Sequence, residues 1–462
     1  MSRDRMAFVP PFVPACLLFM TSLCMILVPS PSSGSQAPAL GPGRKYTTLE
    51  RIRPERLAAV GADRRRYRES RKPVAIATGF RDYRAILHSH AEDSAHTGGT
   101  RPELLAAAKR MGVQIVMLSD HFRPPRDFID ESWRGLREGV LFIPGSENEG
   151  FLIHPQRSIL PKKWTSREEL IRIVRQDGGN IFLSHVEERF DWPTDQLDGL
   201  EIYNHHTDFK DESGFLFWLR GAFTDPDRMK QAQELLANHP IEFFGATQDY
   251  LAPIIQKWDR DLQSHPLTGV SANDCHHNLV YTIKALDAES IELHEIGDKP
   301  RRITTAQSPR VAEMLRGRAP GETIARLDMD PYDRSLGYVT THILLQELNE
   351  PAVRRALRDG RAYVAHDWLC DPTGFAFIAE RNGKRIGGMG DALKQTGELR
   401  LRLAAPAAGT IKLFRNGVAI REAQSDRMDL EVKEPGVYRA EVWLTLDGEL
   451  RPWIYSNAIR IN

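Results

Sequence analysis

Ile86-Leu87-His88-Ser89-His90 places two histidines directly after a short apolar run. The apolar residues predict the end of a buried strand. Side chains two residues apart in a strand point to the same face, so both imidazoles can bind one metal ion from one side. A single pair of this kind arises easily by chance. Its meaning therefore depends on the polar residues that follow the later strands.

Metal-binding residue types follow several other short apolar runs. The series continues, in chain order, with His96, Ser119-Asp120-His121, Gly145-Ser146-Glu147, His154, Ser184-His185 and Asp274-Cys275-His276. Polar side chains at strand ends collect at the carboxyl edge of a strand–helix repeat, where active sites form. Imidazoles and carboxylates without a set of thiolates suit divalent Zn, Mn or Fe. So many ligands exceed the needs of one ion, which indicates two or three ions.

The ordered series resembles the PHP (polymerase and histidinol phosphatase) superfamily of metal-dependent phosphoesterases. The resemblance covers about residues 76–360 and runs from H-x-H through D-H and E to a closing D-x-H. It implies a distorted (TIM-like) barrel of seven β/α units with two or three divalent metal ions at its mouth. The metal ligands that it implies are His88, His90, His96, His121, Glu147, His154, His185, Asp274 and His276.

The same resemblance implies roles for individual residues. Glu147 matches a carboxylate that bridges two ions, and hydrolysis by a metal-activated hydroxide needs no covalent enzyme intermediate. Asp120 is predicted to orient a ligand imidazole. The predicted catalytic residues are Glu147, Asp120 and His185. Apart from the resemblance, Arg123 and Arg189 follow metal motifs closely and are predicted to hold a substrate phosphate, although each suits a solvated surface position equally well. Asn204 and His277 lie at or near predicted strand ends and are predicted to line the pocket, with a solvated loop position as the alternative.

Some of these residues have other readings. His96 lies in a flexible stretch and is also typical of a surface loop, and His154 precedes a proline and also suits a turn. A thiolate at Cys275 would bind a soft metal, but the family has no ligand at this position, so Cys275 is predicted to point away. The loop Ala91–Ala95 departs from the family's threonine and S-D-G turn. Because this loop borders the pocket in the family, substrate specificity does not transfer.

The pattern changes near Gly360. Later segments alternate apolar and polar residues as strands do, and Asn416-Gly417 and Asp447-Gly448 predict hairpin turns. We therefore expect an α/β barrel followed by an immunoglobulin-like antiparallel β-sandwich. The predicted divisions are a signal peptide (1–34), an N-terminal helical or linker segment (35–75), the barrel (76–360) and the sandwich (361–462).

The first residues have the order of an export signal. Arg3 and Arg5 precede an uncharged apolar stretch, which is followed by a segment rich in Ser, Pro and Gly. This order predicts a cleaved signal peptide and a periplasmic or secreted protein. A retained membrane anchor is the alternative. The prolines at 10, 11 and 14 argue against a long regular helix there.

Composition narrows the partners. Lys+Arg and Asp+Glu are 62 each, so the formal net charge is zero and gives no electrostatic reason to expect a nucleic-acid partner. Beyond the leader only Cys275 and Cys370 remain, which allows one disulfide and no disulfide framework. No membrane span is expected unless the leader is retained, and the sequence predicts no oligomeric state.

The most consistent function is a secreted metal-dependent phosphoesterase acting on a small phosphorylated substrate, either a phosphomonoester or a small phosphodiester. An amidohydrolase-like metal hydrolase of C–N or carboxylic ester bonds remains an alternative. A non-catalytic envelope binding protein is a third. The complete set of candidate ligands argues against the third reading, because a decayed site would have lost some of them.

Overall fold

The computed structural model describes residues 41–462. The predicted signal peptide lies outside the described residues, so export stays a prediction. Within residues 41–462 no helix is both long and apolar enough to cross a bilayer.

The helices lie mostly between the strands of the first 360 residues. Helix α3 shows how local sequence sets their bounds, because Thr100 and Glu103 form a capping box at its start and Gly112 ends it in the left-handed region. The α-helices are α1 (Thr48–Arg51), α2 (Pro54–Ser70), α3 (Arg101–Met111), α4 (Arg167–Gln176), α5 (His205–Lys210), α6 (Ser213–Ala222), α7 (Pro226–Asn238), α8 (Pro240–Phe244), α9 (Ala252–Leu262), α10 (Val311–Leu315), α11 (Tyr332–Leu336) and α12 (Glu350–Asp359).

The strands before residue 360 are short, and the three longest strands follow it. The strands that precede residue 360 are β1 (Arg81–Ile86), β2 (Ile115–Met117), β3 (Asp120–His121), β4 (Gly135–Arg137), β5 (Val140–Ile143), β6 (Ser146–Asn148), β7 (Phe151–His154), β8 (Asn180–Leu183), β9 (Gly199–Asn204), β10 (Thr268–Ala272), β11 (Val280–Asp287), β12 (Ser290–Glu295), β13 (Arg301–Thr304), β14 (Thr323–Asp328) and β15 (Thr340–Leu345). The later strands are β16 (Ala362–Ala365), β17 (Ala376–Arg381), β18 (Lys384–Gly388), β19 (Ala392–Leu393), β20 (Leu399–Arg415), β21 (Val418–Glu431), β22 (Gly436–Leu446), β23 (Glu449–Ser456) and β24 (Ile459–Ile461).

Two sheets enclose a common core. One contains the run β15-β1-β2-β5-β4, and the other has the order β10-β9-β8-β7-β6-β3. Strand β10 of the second sheet is linked to β15 of the first by Ser271, whose amide and hydroxyl both lie 2.9 Å from the Thr341 hydroxyl. Buried apolar side chains from β1, β2, β5, β7, β8, β10 and β15 pack together, with α12 adding Val353 and Leu357. A mixed α/β architecture is confirmed in this form, while the distorted seven-unit barrel stays a prediction.

Not all of these strands are parallel. Strand β7 runs antiparallel to both β6 and β8. The turn between β6 and β7 has positive φ at Glu149 and Gly150, as a two-residue hairpin requires. An apolar stripe through Leu344, Leu348 and Leu357 predicts a helix over 340–358, but the structure has strand β15 followed by α12, which Asn349 caps through the Ala352 amide. The sequence also predicts a short strand at 242–244, but this segment belongs to α8.

Residues 286–330 show no strong hydrophobic period, which predicts an excursion with short strands of its own. The structure forms a separate four-stranded sheet there, β13-β12-β11-β14. Its buried face packs with α6, α7 and α10 in an apolar core of its own, which includes Phe215, Leu235, Ile283, Ile291 and Val311. The excursion thus carries its own apolar core beside the strands that hold the candidate site.

The C-terminal part is rich in antiparallel strands, as the alternation predicts. Strand β20 pairs with β17 through its first half and with β22 through its second half, and its pairing with β21 shifts register between Ala404 and Gly409. Strand β16 pairs with both β15 and β23, so one sheet of 14 strands continues across the predicted boundary at residue 361. The sheet-rich character is confirmed, and the immunoglobulin-like form stays a prediction.

A buried histidine joins the two parts. His342 on β15 places Nδ1 2.7 Å from Asp82 and Nε2 3.2 Å from Asp367, and the Tyr363 hydroxyl donates to Asp82 at 2.6 Å. Burial opposes charging of this imidazole, but the two carboxylates outweigh it and raise the pKa of His342 to about 9. The network links β1 and β15 to the segment that follows β16.

Candidate metal centre

The predicted ligands come from several strand ends and meet at one place. His88 and His90 follow β1, His121 ends β3, Glu147 lies in β6, His185 follows β8, and Asp274 and His276 follow β10. His96 approaches from the loop before α3, with its ring centroid 4.8 Å from that of His121 and 4.9 Å from that of His276. The structure thus brings together all the predicted ligands except His154.

Glu147 lies between the imidazoles. Its Oε2 atom is 3.5 Å from His88 Nε2, 3.8 Å from His90 Nε2 and 3.7 Å from His121 Nε2. Its Oε1 atom is 3.1 Å from His185 Nε2. The two oxygens therefore face different sets of histidines, which is the arrangement needed for a carboxylate that bridges two ions.

Asp274 forms the opposite side of the centre. Its Oδ1 atom lies 3.2 Å from His88 Nε2 and 3.5 Å from His90 Nε2. Its Oδ2 atom lies 3.6 Å from both His185 Nε2 and His206 Nδ1. Sequence analysis did not assign His206 as a ligand. Its position soon after β9, another strand that ends at the centre, is the signal that would have found it.

The ligand atoms form two overlapping groups. His90, His121 and His276 form the histidine group, and His88, His90, Glu147 and Asp274 form the mixed group. In each group the candidate ligand atoms lie within 4.8 Å of one another. These spacings let one ion contact several ligands of a group at once.

The buried donor atoms fit divalent metal ions. Among residues 41–462, His88 Nε2, His276 Nε2 and Asp274 Oδ1 are buried without a hydrogen bond. His88 Nε2 and Asp274 Oδ1 are close but not aligned to form one. Buried polar atoms are normally satisfied, and metal coordination would satisfy all three. A set of nitrogen and oxygen donors suits Zn, Mn or Fe.

Carboxylates outside the centre contact the Nδ1 atoms of the ligand histidines. Asp93 Oδ2 lies 3.1 Å from His90 Nδ1 and 2.5 Å from His121 Nδ1. Glu201 lies 2.7 Å from His88 Nδ1, and Glu187 lies 3.3 Å from His185 Nδ1. Metal-binding histidines usually donate their other N–H group in this way. With Nδ1 engaged, each Nε2 faces the centre.

These carboxylates differ from the sequence prediction. Asp120 does not orient an imidazole, because its carboxylate pairs with Arg101 at 2.6 Å and accepts the Ala91 amide at 3.3 Å. Asp93 performs the predicted role from the loop that departs from the family pattern. Glu201 was not assigned from the sequence. It could have been found as a charged residue inside β9, a strand whose residues are all buried.

Electrostatics in the centre reflect the mutual approach of acids and bases. Burial opposes the charged form of every group, but neighbouring carboxylates raise the pKa of His88 and His185 well above the ordinary value. The same imidazoles hold the pKa of Glu147 and Asp274 well below the ordinary value. The carboxylates are therefore ionised and ready to bind cations.

His154 is not part of the centre. It is fully buried and its Nδ1 lies 3.4 Å from the Pro144 carbonyl oxygen. Because β7 runs antiparallel to β8, its end pairs with Asn180 at the start of β8, whereas His185 follows the other end. The carbonyl oxygen of His154 accepts a hydrogen bond from the side chain of Arg354 on α12. This correction follows from the unforeseen hairpin between β6 and β7.

The predicted substrate residues have different surroundings. Arg189 donates to the backbone carbonyls of Ser184 and His185, and His277 lies 3.2 Å from Asp328. Neither arrangement offers the side chain to a ligand in the centre.

Asn204 also makes contacts within the protein. It donates to Glu201 at 2.9 Å and caps α5 through the His206 amide at 2.8 Å. It therefore positions neighbours. Arg123 is exposed. The pKa of His96 is lowered to about 4, mainly by burial; the charges of His121, His90 and Arg123 also lower it, and that of Asp93 opposes them.

Cys275 lies between two ligands but points away, as predicted. Its Sγ lies 3.9 Å from the His88 carbonyl oxygen, within the apolar cluster of Leu104 and Tyr332. Cys275 and Cys370 are both free and buried. Within residues 41–462, neither metal group includes a residue after 360; His366 instead packs 4.3 Å from the Tyr203 ring.

No family model matches the chain, and no curated protein matches it. Among solved structures, the chain is similar to a two-domain protein from Bacteroides vulgatus ATCC 8482 that contains a predicted PHP-like metal-dependent phosphoesterase. The match covers 84% of this chain and 98% of that one, with 13% sequence identity and a TM-score of 0.35.

Proposed function

We propose that the chain is a metal-dependent phosphoesterase that hydrolyses a phosphomonoester or a small phosphodiester. The observation that carries the proposal is the convergence of four Nε2 atoms on the carboxylates of Glu147 and Asp274. Divalent ions bound there supply a water of lowered pKa and a clamp for phosphoryl oxygens. Two or three ions of Zn, Mn or Fe suit this set of donors.

The chain's own residues bind and orient. Glu147 and Asp274 give the centre its negative charge, and the imidazoles complete the ligand shells from four strand ends. His206, whose side chain is 53% exposed, marks the open side of the centre. Arg123 is exposed beside His96, so we assign the substrate phosphate to this guanidinium, which favours such anions.

The test uses the full chain, stripped with a chelator and reloaded with Zn²⁺, Mn²⁺ or Fe²⁺. We expect hydrolysis of p-nitrophenyl phosphate or bis(p-nitrophenyl) phosphate that requires metal and is lost in His185→Ala. His294→Ala is the matched control, since His294 pairs with Glu292 on the separate four-stranded sheet. Elemental analysis should give more than one ion per chain.

Three results would contradict the proposal. Less than one bound ion per loaded chain would show that these residues do not form a metal centre. Hydrolysis of p-nitrophenyl acetate or amides, with both phosphate esters untouched, would favour the amidohydrolase-like alternative. A loaded chain that hydrolyses none of these substrates would leave the binding-protein alternative.

Export is the second part of the proposal. The order of basic, apolar and small residues in the leader supports a mature chain that begins near Ser35 outside the cytoplasm. Cell fractionation followed by N-terminal sequencing tests it. Intact Met1 on chains from the soluble cytoplasm would contradict it.

A further inference from the structure

One carboxylate oxygen of Asp93 holds two ligands from different strands. Asp93 Oδ2 lies 3.1 Å from His90 Nδ1 and 2.5 Å from His121 Nδ1, and it also accepts the His121 amide at 2.9 Å. The side chain is fully buried. Since His90 and His121 are two of the three members of the histidine group, Asp93 fixes the direction of most of its donors.

The surrounding loop holds Asp93 itself in place. The Thr97 hydroxyl donates to Asp93 Oδ1 at 2.5 Å. The amides of Gly98 and Gly99 donate to the His276 carbonyl at 3.1 and 3.2 Å. The same loop is therefore tied to the third member of the histidine group, so loop and ligands form one rigid assembly.

Glu201 plays the corresponding part for the other group. Its Oε1 atom lies 2.7 Å from His88 Nδ1, and its Oε2 atom accepts the His185 amide at 2.9 Å and Asn204 Nδ2 at 2.9 Å. Glu201 is fully buried. Among the hydrogen bonds of residues 41–462, it has none to His90, His121 or His276.

We propose that Asp93 and Glu201 are positioning residues that orient separate metal groups, Asp93 the histidine group and Glu201 the mixed group. The inference rests on the metal centre of the proposed function. His90 belongs to both groups, so loss of the Asp93 charge should loosen two ligands of the histidine group and one of the mixed group. Loss of the Glu201 charge should leave the histidine group unchanged.

The experiment measures metal binding to the full chain without any substrate. Asp93→Asn, Glu201→Gln and the double variant keep the side-chain shape but remove the charge. Asp198→Asn is the matched control, because Asp198 is a buried carboxylate at the opposite end of β9 that accepts Asn180 and Ile181. Calorimetric titration with Zn²⁺, elemental analysis and Co²⁺ absorption spectra resolve the ions.

We expect two or more binding transitions in the parent chain and in Asp198→Asn. Asp93→Asn should weaken the transition of the histidine group by about 10- to 100-fold and that of the mixed group by a smaller factor. Glu201→Gln should weaken only the transition of the mixed group, by about 10- to 100-fold, and the double variant should weaken both strongly. Thr97→Val, which removes the hydroxyl bonded to Asp93, is a milder second perturbation and should shift the same transitions as Asp93→Asn.

Two results would overturn the inference. Either both single variants weaken the binding of every ion by the same factor, or neither variant weakens the binding of any ion. A merely structural role would lower the thermal stability of the metal-free chain without separating the transitions. The proposed function fails independently, because a chain that binds ions in the expected pattern but hydrolyses no phosphoester keeps the positioning roles and loses the phosphoesterase activity.

Discussion

Glu147→Gln should remove more metal and more activity than loss of any single histidine. The substitution keeps the shape of the side chain but removes a charge that faces the Nε2 atoms of four imidazoles within 3.8 Å. Loss of a ligand charge of this kind should remove several kcal/mol of transition-state stabilisation. At about 1.4 kcal/mol per tenfold, this corresponds to a loss of about 10²–10⁴ in rate.

The comparison variant is His96→Ala. His96 lies near His121 and His276 and touches the edge of the histidine group, so its loss should disturb fewer ions. Metal content by elemental analysis and the rate of phosphate release should be measured for both variants under identical loading. If Glu147→Gln keeps a full complement of ions and a near-normal rate while His96→Ala is inactive, the bridging role of Glu147 is refuted.

Three further outcomes follow from the structure. The folded chain raises the pKa of His342 to about 9 from an ordinary value of 6.5. Charged His342 therefore adds about 3 kcal/mol to the free energy of unfolding below pH 6.5, and this stabilisation is lost as the pH rises through 9. The gap in free energy of unfolding between the metal-free parent and His342→Gln should narrow over this range; a constant gap would contradict it. Burial raises the pKa of the Cys275 thiol, so mass spectrometry should find no alkylation of Cys275 in the folded, loaded chain, and labelling there would show that it is accessible. A side chain at Gly145 would overlap the ring of His154, so Gly145→Ala should lower the stability by about 1–3 kcal/mol, and an unchanged melting temperature would refute this contact.

The sequence predicted the ligands best where an apolar strand ends in a polar pair. Alternation along an extended chain predicts one face for His88 and His90 from the local sequence alone, and their Nε2 atoms do approach the same carboxylate, although both residues lie just beyond β1. His121, His185 and His276 follow their strands in the same way. These local rules do not depend on how the strands are ordered, which is why the ligand set emerged although parts of the topology differ.

The errors arose where long-range pairing decides. His154 follows an apolar run like the other ligands, but the turn at Glu149 and Gly150 reverses the strand and takes His154 away from the centre. The 340–345 segment reads equally well as helix or strand, and pairing with β1 makes it a strand. No local pattern contains that information.

The carboxylates around the centre were the least predictable feature, because each finds its partner across the fold. Asp93 reaches His121 from another loop, and Glu201 reaches His88 from another strand. A charged residue inside a buried strand must find a partner or destabilise the fold. Buried acids are therefore a useful second signal beside the histidine motifs.

Charge balance gives a physical reason for more than one ion. Five carboxylates lie within about 4 Å of the ligand imidazoles, and their side chains are at most 14% exposed: Asp93, Glu147, Glu187, Glu201 and Asp274. Imidazoles must be neutral to bind a metal ion, so in the metal-bound centre they offset none of this charge. Each uncompensated buried carboxylate costs several kcal/mol. One divalent ion leaves most of the charge unbalanced, whereas two supply four positive charges. The carboxylates that orient the ligands thus also set the charge that the bound ions must balance.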